Sequence, residues 1–397
     1  MTDFAATRAM FDLPDGIVYL DGNSLGPMPR AAAGRVKAAI EEEWGGMLIT
    51  AWNRAGWMEQ PSRIGDRIAR LIGAEAGAVV TGDTLSIKVY QALAAALALN
   101  PHRRIVLSDK GNFPSDLYMA EGLLGQLGNG YRLKVVAPEE VRANIDGSVA
   151  VLMLTEVDYR TGRLHDMKAL TAAAHETGVI TVWDLAHSAG AVPVDVAGAG
   201  ADFAVGCTYK FLNGGPGAPA FIYVAPRHAD NALPALSGWL GHEAPFAFDP
   251  AYRPGRGVER MRVGTPPVLQ MTALEAALDI WDAVDMHDLR ARSIELSERF
   301  IAGVEATCRQ LTLVSPRDPL RRGSQVSFAF KHGYAAMQAL IARGVIGDFR
   351  APDIMRFGIT PLYLGEREID RAVDILAEIM TGELWDRPDY HRRAAVT

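Results

Sequence analysis

Residues 178–196 read GVITVWDLAHSAGAVPVDV, and residues 201–217 follow with ADFAVGCTYKFLNGGPG. Each opens on an apolar run of strand length and closes on small, polar and glycine-rich residues, the pattern of buried parallel strands whose carboxyl ends face a ligand. Working outward, the same alternation of apolar runs and amphipathic stretches extends from about Val79 to Val224. Strands are expected at 77–80, 104–108, 133–136, 149–154, 179–184, 203–207 and 220–224, with helices such as 86–99 and 167–177 between them. An α/β fold follows, a three-layer sandwich around a mostly parallel central sheet. From Pro266 the pattern is helical to about Leu311, then gives a strand at 325–330, a helix at 334–343 and a last helix at 366–380, which suits a smaller α+β C-terminal domain.

The first apolar run ends in Asp184 and the second leads into Lys210, one crossover later at the same sheet edge. Only seven of the 40 Lys and Arg residues are lysines. A lysine held against an apolar strand in a chain that prefers arginine points to an amine that can lose its proton and form an imine. A carboxylate beside it can keep a pyridine nitrogen protonated, so the pair fits pyridoxal 5'-phosphate. Asp184 as a helix cap and Lys210 as a surface lysine are the bland readings.

Residues 79–97, VVTGDTLSIKVYQALAAAL, supply a strand, a polar turn and a helix start at Leu85 and Ser86, where backbone N–H groups suit a phosphate. Thr84 or Ser86 could equally cap that helix. In GNFPSDLYMAEG, residues 111–122, Phe113 could stack on a cofactor ring and Asp116 bond nearby polar groups, although an aromatic before Pro-Ser-Asp is also an ordinary helix entry. In APDIMRFGITPLYL, residues 351–364, Arg356 offers a planar fork for a substrate carboxylate, with a structural ion pair as the default alternative.

Composition narrows the partners. A formal net charge of −7 argues against nucleic-acid and acidic membrane surfaces and for small molecules. Cys207 and Cys308 are the only cysteines and show no metal-ligand spacing. No apolar run reaches about 18 residues, and the N-terminal MTDFAATRAMFDLPDG has no basic-then-apolar leader, so a cytoplasmic protein is expected.

The motifs LDGNSLGPMP, the Trp52-to-Trp57 segment, GNFPSD, VWDLAHSAGAVPVD, CTYKFLNGGPGAPAFIYV, LSGWLGHEAPFAFD, VGTPPVLQ and MRFGITPLY together resemble kynureninase, within the fold-type I pyridoxal-phosphate enzymes related to class V aminotransferases. The resemblance implies hydrolytic Cβ–Cγ cleavage of L-kynurenine, and of 3-hydroxykynurenine as a further substrate, to the anthranilate and L-alanine in tryptophan degradation. It implies Lys210, Tyr209 and Asp184 as catalytic residues. Leu85, Ser86, Phe113, Asp116, Thr155, His187, Trp239 and Thr265 are implied as further cofactor-binding positions, and Arg356 and Ser24 as substrate-binding positions. Trp239 and Thr265 would come from the second subunit of a homodimer with shared active sites. Thr265 stands where animal members carry asparagine. The implied division is an N-terminal segment, 1–50, on the small domain and dimer, a large cofactor-binding domain, 51–275, and a small domain, 276–397.

Three rivals share parts of this pattern. A cysteine desulfurase or selenocysteine lyase needs a mobile nucleophilic thiol, for which Cys207 and Cys308 look too apolar in setting. A class V aminotransferase would make a keto acid instead of anthranilate. A catalytically silent scaffold would have no reason to keep both Asp184 and Lys210.

Overall fold

The computed structural model describes residues 1–393. Seven strands form the large sheet: β1 (Val79–Thr81), β2 (Ile105–Asp109), β3 (Arg132–Val136), β4 (Val149–Thr155), β5 (Ile180–Asp184), β6 (Phe203–Gly206) and β7 (Phe221–Val224). Their order is β1-β7-β6-β5-β4-β2-β3. Strands β6 to β3 run parallel, while β7 is antiparallel to both β6 and β1. Because two reversals restore direction, the carboxyl end of β1 lies at the same sheet edge as those of β4, β5 and β6. The apolar composition of β4 and β6 is explained by complete burial, as both faces of the sheet are covered.

Helix α1 (Arg30–Ala38) lies outside the sheet, against a later helix. On one face of the sheet pack α3 (Leu85–Leu99) and α4 (Pro114–Leu127), whose Val89, Leu93, Leu97 and Leu123 meet Val106, Val151, Val182 and Val205. On the other lie α2 (Gln60–Leu71) and α5 (Met167–Glu176), and that core continues through α6 (Val268–Trp281) and α7 (Met286–Thr307) into the second sheet. The second sheet holds β8 (Thr312–Leu313), β9 (Gln325–Ala329), β10 (Asp348–Arg350) and β11 (Ile354–Gly358) in the order β10-β11-β9-β8, all antiparallel. Helices α8 (Gly333–Ile341) and α9 (Glu366–Thr381) complete this part.

The helical stretch after Pro266 is two helices, because Asp285 accepts from the N–H groups of His287 and Asp288 and starts α7 anew. Helix α6 packs on α1 and α2, whereas α7 packs on α9. The expected division at residue 275 falls inside α6, and we propose drawing it in the turn between Trp281 and Met286.

The N-terminal segment reaches both sheets' territory. Val18 and Tyr19 pair with Val345 and Ile346, and Gly358 N–H donates to the Leu20 carbonyl at 2.7 Å. Further along, Gly26 N–H donates to the Tyr209 carbonyl at 2.8 Å. A Cβ at Gly26 would sit 2.4 Å from the Lys210 carbonyl oxygen, so only glycine lets the two backbones approach this closely.

Candidate active site

The expected residues other than Trp239, Thr265, Arg356 and Ser24 gather where β1, β2, β4, β5 and β6 end. Thr155 and Asp184 are register partners at the last positions of β4 and β5, and Asp184 pairs in turn with Val205 of β6. Asp184 is buried and accepts from Ala186 N–H at 2.9 Å, so it shapes a turn instead of capping a helix. Thr155 is buried beside it, with its hydroxyl directed at the carbonyls of Val157 (3.2 Å) and Asp184 (3.5 Å).

Lys210 sits in the turn that leaves β6. That turn closes through Asn213 N–H to the Lys210 carbonyl at 2.9 Å and Gly214 N–H to the Thr208 carbonyl at 2.8 Å, with Asn213 in the left-handed region. Lys210 Nζ lies 3.0 Å from His187 Nε2. Burial, then the positive charge of Lys210, pushes His187 well below its ordinary value. The neutral ring therefore accepts at Nε2, which leaves its proton on Nδ1, buried and unpartnered among the described residues.

Asp116 enters from the first turn of α4. It is fully buried, and burial first, then the charge of Asp184, pushes its carboxyl well above the ordinary range. Asp184 is raised to about 6 by burial, with Lys210 pulling the other way. The two buried carboxyls titrate as a pair, with burial and mutual repulsion favouring a proton on Asp116. Asp116 Oδ2 has no partner among the described residues.

Phe113 precedes α4 and presents a ring that is 38% exposed, with Lys210 Nζ 5.7 Å from its centroid and Tyr159 edge-on at 5.1 Å. Tyr209 also places its ring 5.7 Å from Lys210 Nζ. The adjacent Cys207 sulfur, then burial, pushes the Tyr209 phenol up, so its hydroxyl stays protonated. Helix α3 begins at Leu85, and Thr84 makes no capping bond. The N–H groups of its first turn are left for another acceptor. Ser86 Oγ lies 3.1 Å from Ser115 Oγ at the start of α4, so two helix N-termini and two hydroxyls meet there.

These observations fit pyridoxal phosphate. An uncapped helix start with paired hydroxyls suits the phosphate, the buried ionised Asp184 suits a ring N–H, and Phe113 offers a face beside the Lys210 amine.

Arg356 lies on β11 with a side chain only 1% exposed, and its fork is already engaged. Nε donates to Asp348 Oδ1 at 2.6 Å, Nη2 to Asp348 Oδ2 and to Ser24 Oγ (3.1 Å), and Nη1 to the Tyr159 carbonyl. The structural ion pair and the proximity to Ser24 thus coexist. Trp239 and Thr265 are not brought to Lys210 within one chain. Trp239 is 40% exposed and joins Phe246 and Phe248 in an apolar patch, and Thr265 is exposed in a cleft with Gly82, Asp83 and Arg262.

Three residues near the site were not singled out from the sequence. Ser115 follows Phe113-Pro114 and, from the sequence, is part of an ordinary helix entry. Asp348 becomes visible only through its register pairing with Arg356. Glu156, the residue after Thr155, is fully buried, has Oε2 unpartnered among the described residues, and is raised to about 7 by burial.

Among the described residues, no helix is long and apolar enough to cross a membrane, and no group of three or more His, Cys, Asp or Glu residues is placed to hold a metal ion. Burial pushes both thiols up, and Cys207 Sγ points to the Ala186 carbonyl at 3.8 Å, the setting of inert apolar side chains.

Comparison with known proteins agrees with this geometry. The family described as "Kynureninase C-terminal domain" matches residues 289–376. A kynureninase of Pseudomonas fluorescens is 51% identical over 400 aligned positions that cover 99% of this chain and 96% of the relative. A kynureninase of Burkholderia pseudomallei (strain 1106a) is 50% identical with the same coverage. Among solved structures, the apo cysteine desulfurase of Thermococcus onnurineus NA1 superposes with a TM-score of 0.80 at 18% identity, covering 95% of this chain and 98% of that one. A variant of C-DES with glycine covalently linked to its PLP cofactor superposes with a TM-score of 0.82 at 17% identity, covering 94% and 99%. At such identities the structural likeness speaks for the fold alone.

Proposed function

The chain belongs to the kynureninase family, and on that premise we propose that Lys210, Asp184 and Tyr209 are the catalytic residues with which it cleaves L-kynurenine, using pyridoxal phosphate. It is an enzyme, a hydrolase acting on a C–C bond of a ketonic substrate. L-kynurenine and water give anthranilate and L-alanine. The observation that carries the assignment is the buried Asp184–Asp116 carboxyl pair at the strand edge that also presents Lys210.

Bound pyridoxal phosphate supplies an electron-withdrawing ring that makes the Cα proton acidic and the Cβ–Cγ bond labile. The rest is work for the chain. Leu85, Ser86 and Ser115 offer N–H and hydroxyl groups to a phosphate, Phe113 covers a ring face, and His187 and Thr155 wall the strand edge. Asp184 holds a negative charge for a ring N–H, and protonated Asp116 steadies that charge by donating to it. Lys210 Nζ would take the Cα proton of the bound substrate. Tyr209, kept as the neutral phenol, donates toward the side-chain carbonyl oxygen as water adds. Arg356 and Ser24 receive the α-carboxylate.

We further propose a cytoplasmic homodimer in which Trp239 and Thr265 complete the neighbouring subunit's site. Trp239 is exposed in an apolar patch with Phe246 and Phe248, and Thr265 is exposed in its own cleft, which supports this reading. Incubating the purified holoenzyme with L-kynurenine and with 3-hydroxykynurenine, and following each aromatic product, tests the function. Anthranilate release that disappears in Lys210→Ala, together with loss of cofactor absorbance, is expected. Activity surviving in that variant would refute the assignment of Lys210.

A further inference from the structure

Asp348 has no part in the reading above, yet it organises the cationic end of the site. It stands directly opposite Arg356 in the β10–β11 register. Partners in such a pair project from the same face of the sheet. Asp348 Oδ1 takes Arg356 Nε at 2.6 Å and Oδ2 takes Nη2. The same Oδ2 accepts from Ser24 Oγ at 2.6 Å and lies 2.9 Å from Arg350 Nη2. The Asp348 side chain is only 2% exposed.

A guanidinium has two edges that can each hold a carboxylate side by side, the Nε/Nη2 edge and the Nη1/Nη2 end. Asp348 fills the first. Among the described residues, the second carries only the Tyr159 carbonyl on Nη1 and the Ser24 hydroxyl on Nη2. A buried arginine without Asp348 would have its long stem free to rotate and would lose its bidentate counter-charge beside Arg350, leaving only the nearby buried carboxyl of Asp21, which forms no ion pair with it among the described residues.

We propose that Asp348 is a positioning residue for the substrate carboxylate. Resting on the assignment of Arg356 above, it grips the Nε/Nη2 edge so that an α-carboxylate docks end-on across Nη1 and Nη2. The Ser24 hydroxyl marks the place of one carboxylate oxygen and turns to donate to it. The opposing arrangement, with Asp348 occupying the edge the substrate needs, would make Asp348 a competitor.

The test compares L-kynurenine with kynuramine, the amine that lacks the α-carboxylate, on holoenzymes whose cofactor content has been measured. Asp348→Asn is expected to raise KM for L-kynurenine about tenfold or more, with a smaller change in kcat and an unchanged inhibition constant for kynuramine. Asp348→Glu, which restores the charge one methylene further out, is expected to fall between wild type and Asp348→Asn. Equal weakening of both ligands, or tighter binding of L-kynurenine, would overturn the proposal. If Asp348→Asn does not fold, Asp348→Glu decides by the same contrast between the two ligands. Arg356→Gln separates the two layers: if it leaves the preference for the carboxylate ligand intact, the assignment of Arg356 fails and not the positioning argument alone.

Discussion

Glu156→Gln should stabilise the protein at alkaline pH and leave it nearly unchanged in mild acid. Glu156 follows the last residue of β4, its backbone N–H donating to the Asp184 carbonyl at 2.9 Å, and its side chain is closed off from water. Burial raises its carboxyl from 4.5 to about 7, with the Ser188 hydroxyl giving partial relief. Because the folded value lies above the unfolded one, the folded chain holds the proton more tightly. Stability is therefore lost as pH rises from about 4.5 through 7. Each pH unit between the two values is worth about 1.4 kcal/mol, so the ionised side chain destabilises the fold by about 3 kcal/mol at pH 8 and by under about 1 kcal/mol at pH 5. Glutamine keeps the shape and a hydrogen-bonding group without the charge. Thermal or denaturant unfolding of the variant and wild type at both pH values measures the difference. An equal effect at pH 5 and pH 8, or destabilisation at pH 8, would refute the reasoning.

Asp184→Asn removes the charge that a ring N–H needs, and a loss of about a hundredfold or more in kcat is expected from steady-state rates. In the wild type, cofactor retention measured by absorbance should weaken as pH falls far enough to protonate Asp184, a point that a facing ring N–H moves below the value of about 6 set by burial. Tyr209→Phe should slow anthranilate release at every pH within the active range, and full turnover throughout would exclude Tyr209 as an acid. Gly26→Ala forces a methyl group to within 2.4 Å of the Lys210 carbonyl and should cost about 1–3 kcal/mol in unfolding experiments, with weaker cofactor binding. Mixing Lys210→Ala with Trp239→Ala subunits should restore activity neither has alone if sites are shared, and no recovery would place Trp239 outside the neighbouring site.

Much of this was legible because neighbouring strands in a parallel sheet bring their ends to one edge whatever the loops do. Asp184 and Lys210 could be paired from the sequence for that reason, as could the helix starts at Leu85 and Phe113. The antiparallel insertion of β7 between β1 and β6 was hidden, since a short buried strand reads the same in either direction. Asp348 was hidden for a different reason: its partner, Arg356, is fixed by hairpin register, which the local pattern does not specify. Glu156 looked like the first polar residue beyond a strand, and only packing around it turns it into a buried acid. Trp239 and Thr265 came from resemblance alone, and a single chain leaves them facing outward.

The ribbon from Val18 to Gly26 is tied at one end to the Ile346 and Gly358 backbones and at the other to the turn that bears Lys210. It is thus a tether between the part of the molecule that would grasp the substrate carboxylate and the part that carries the reactive amine. Any rocking of the small sheet would pull on the lysine turn. For protein engineering, this means an affinity tag on the exposed Met1 leaves the tether intact, whereas a truncated version lacking the first thirty residues would cut the mechanical link between the two halves of the site.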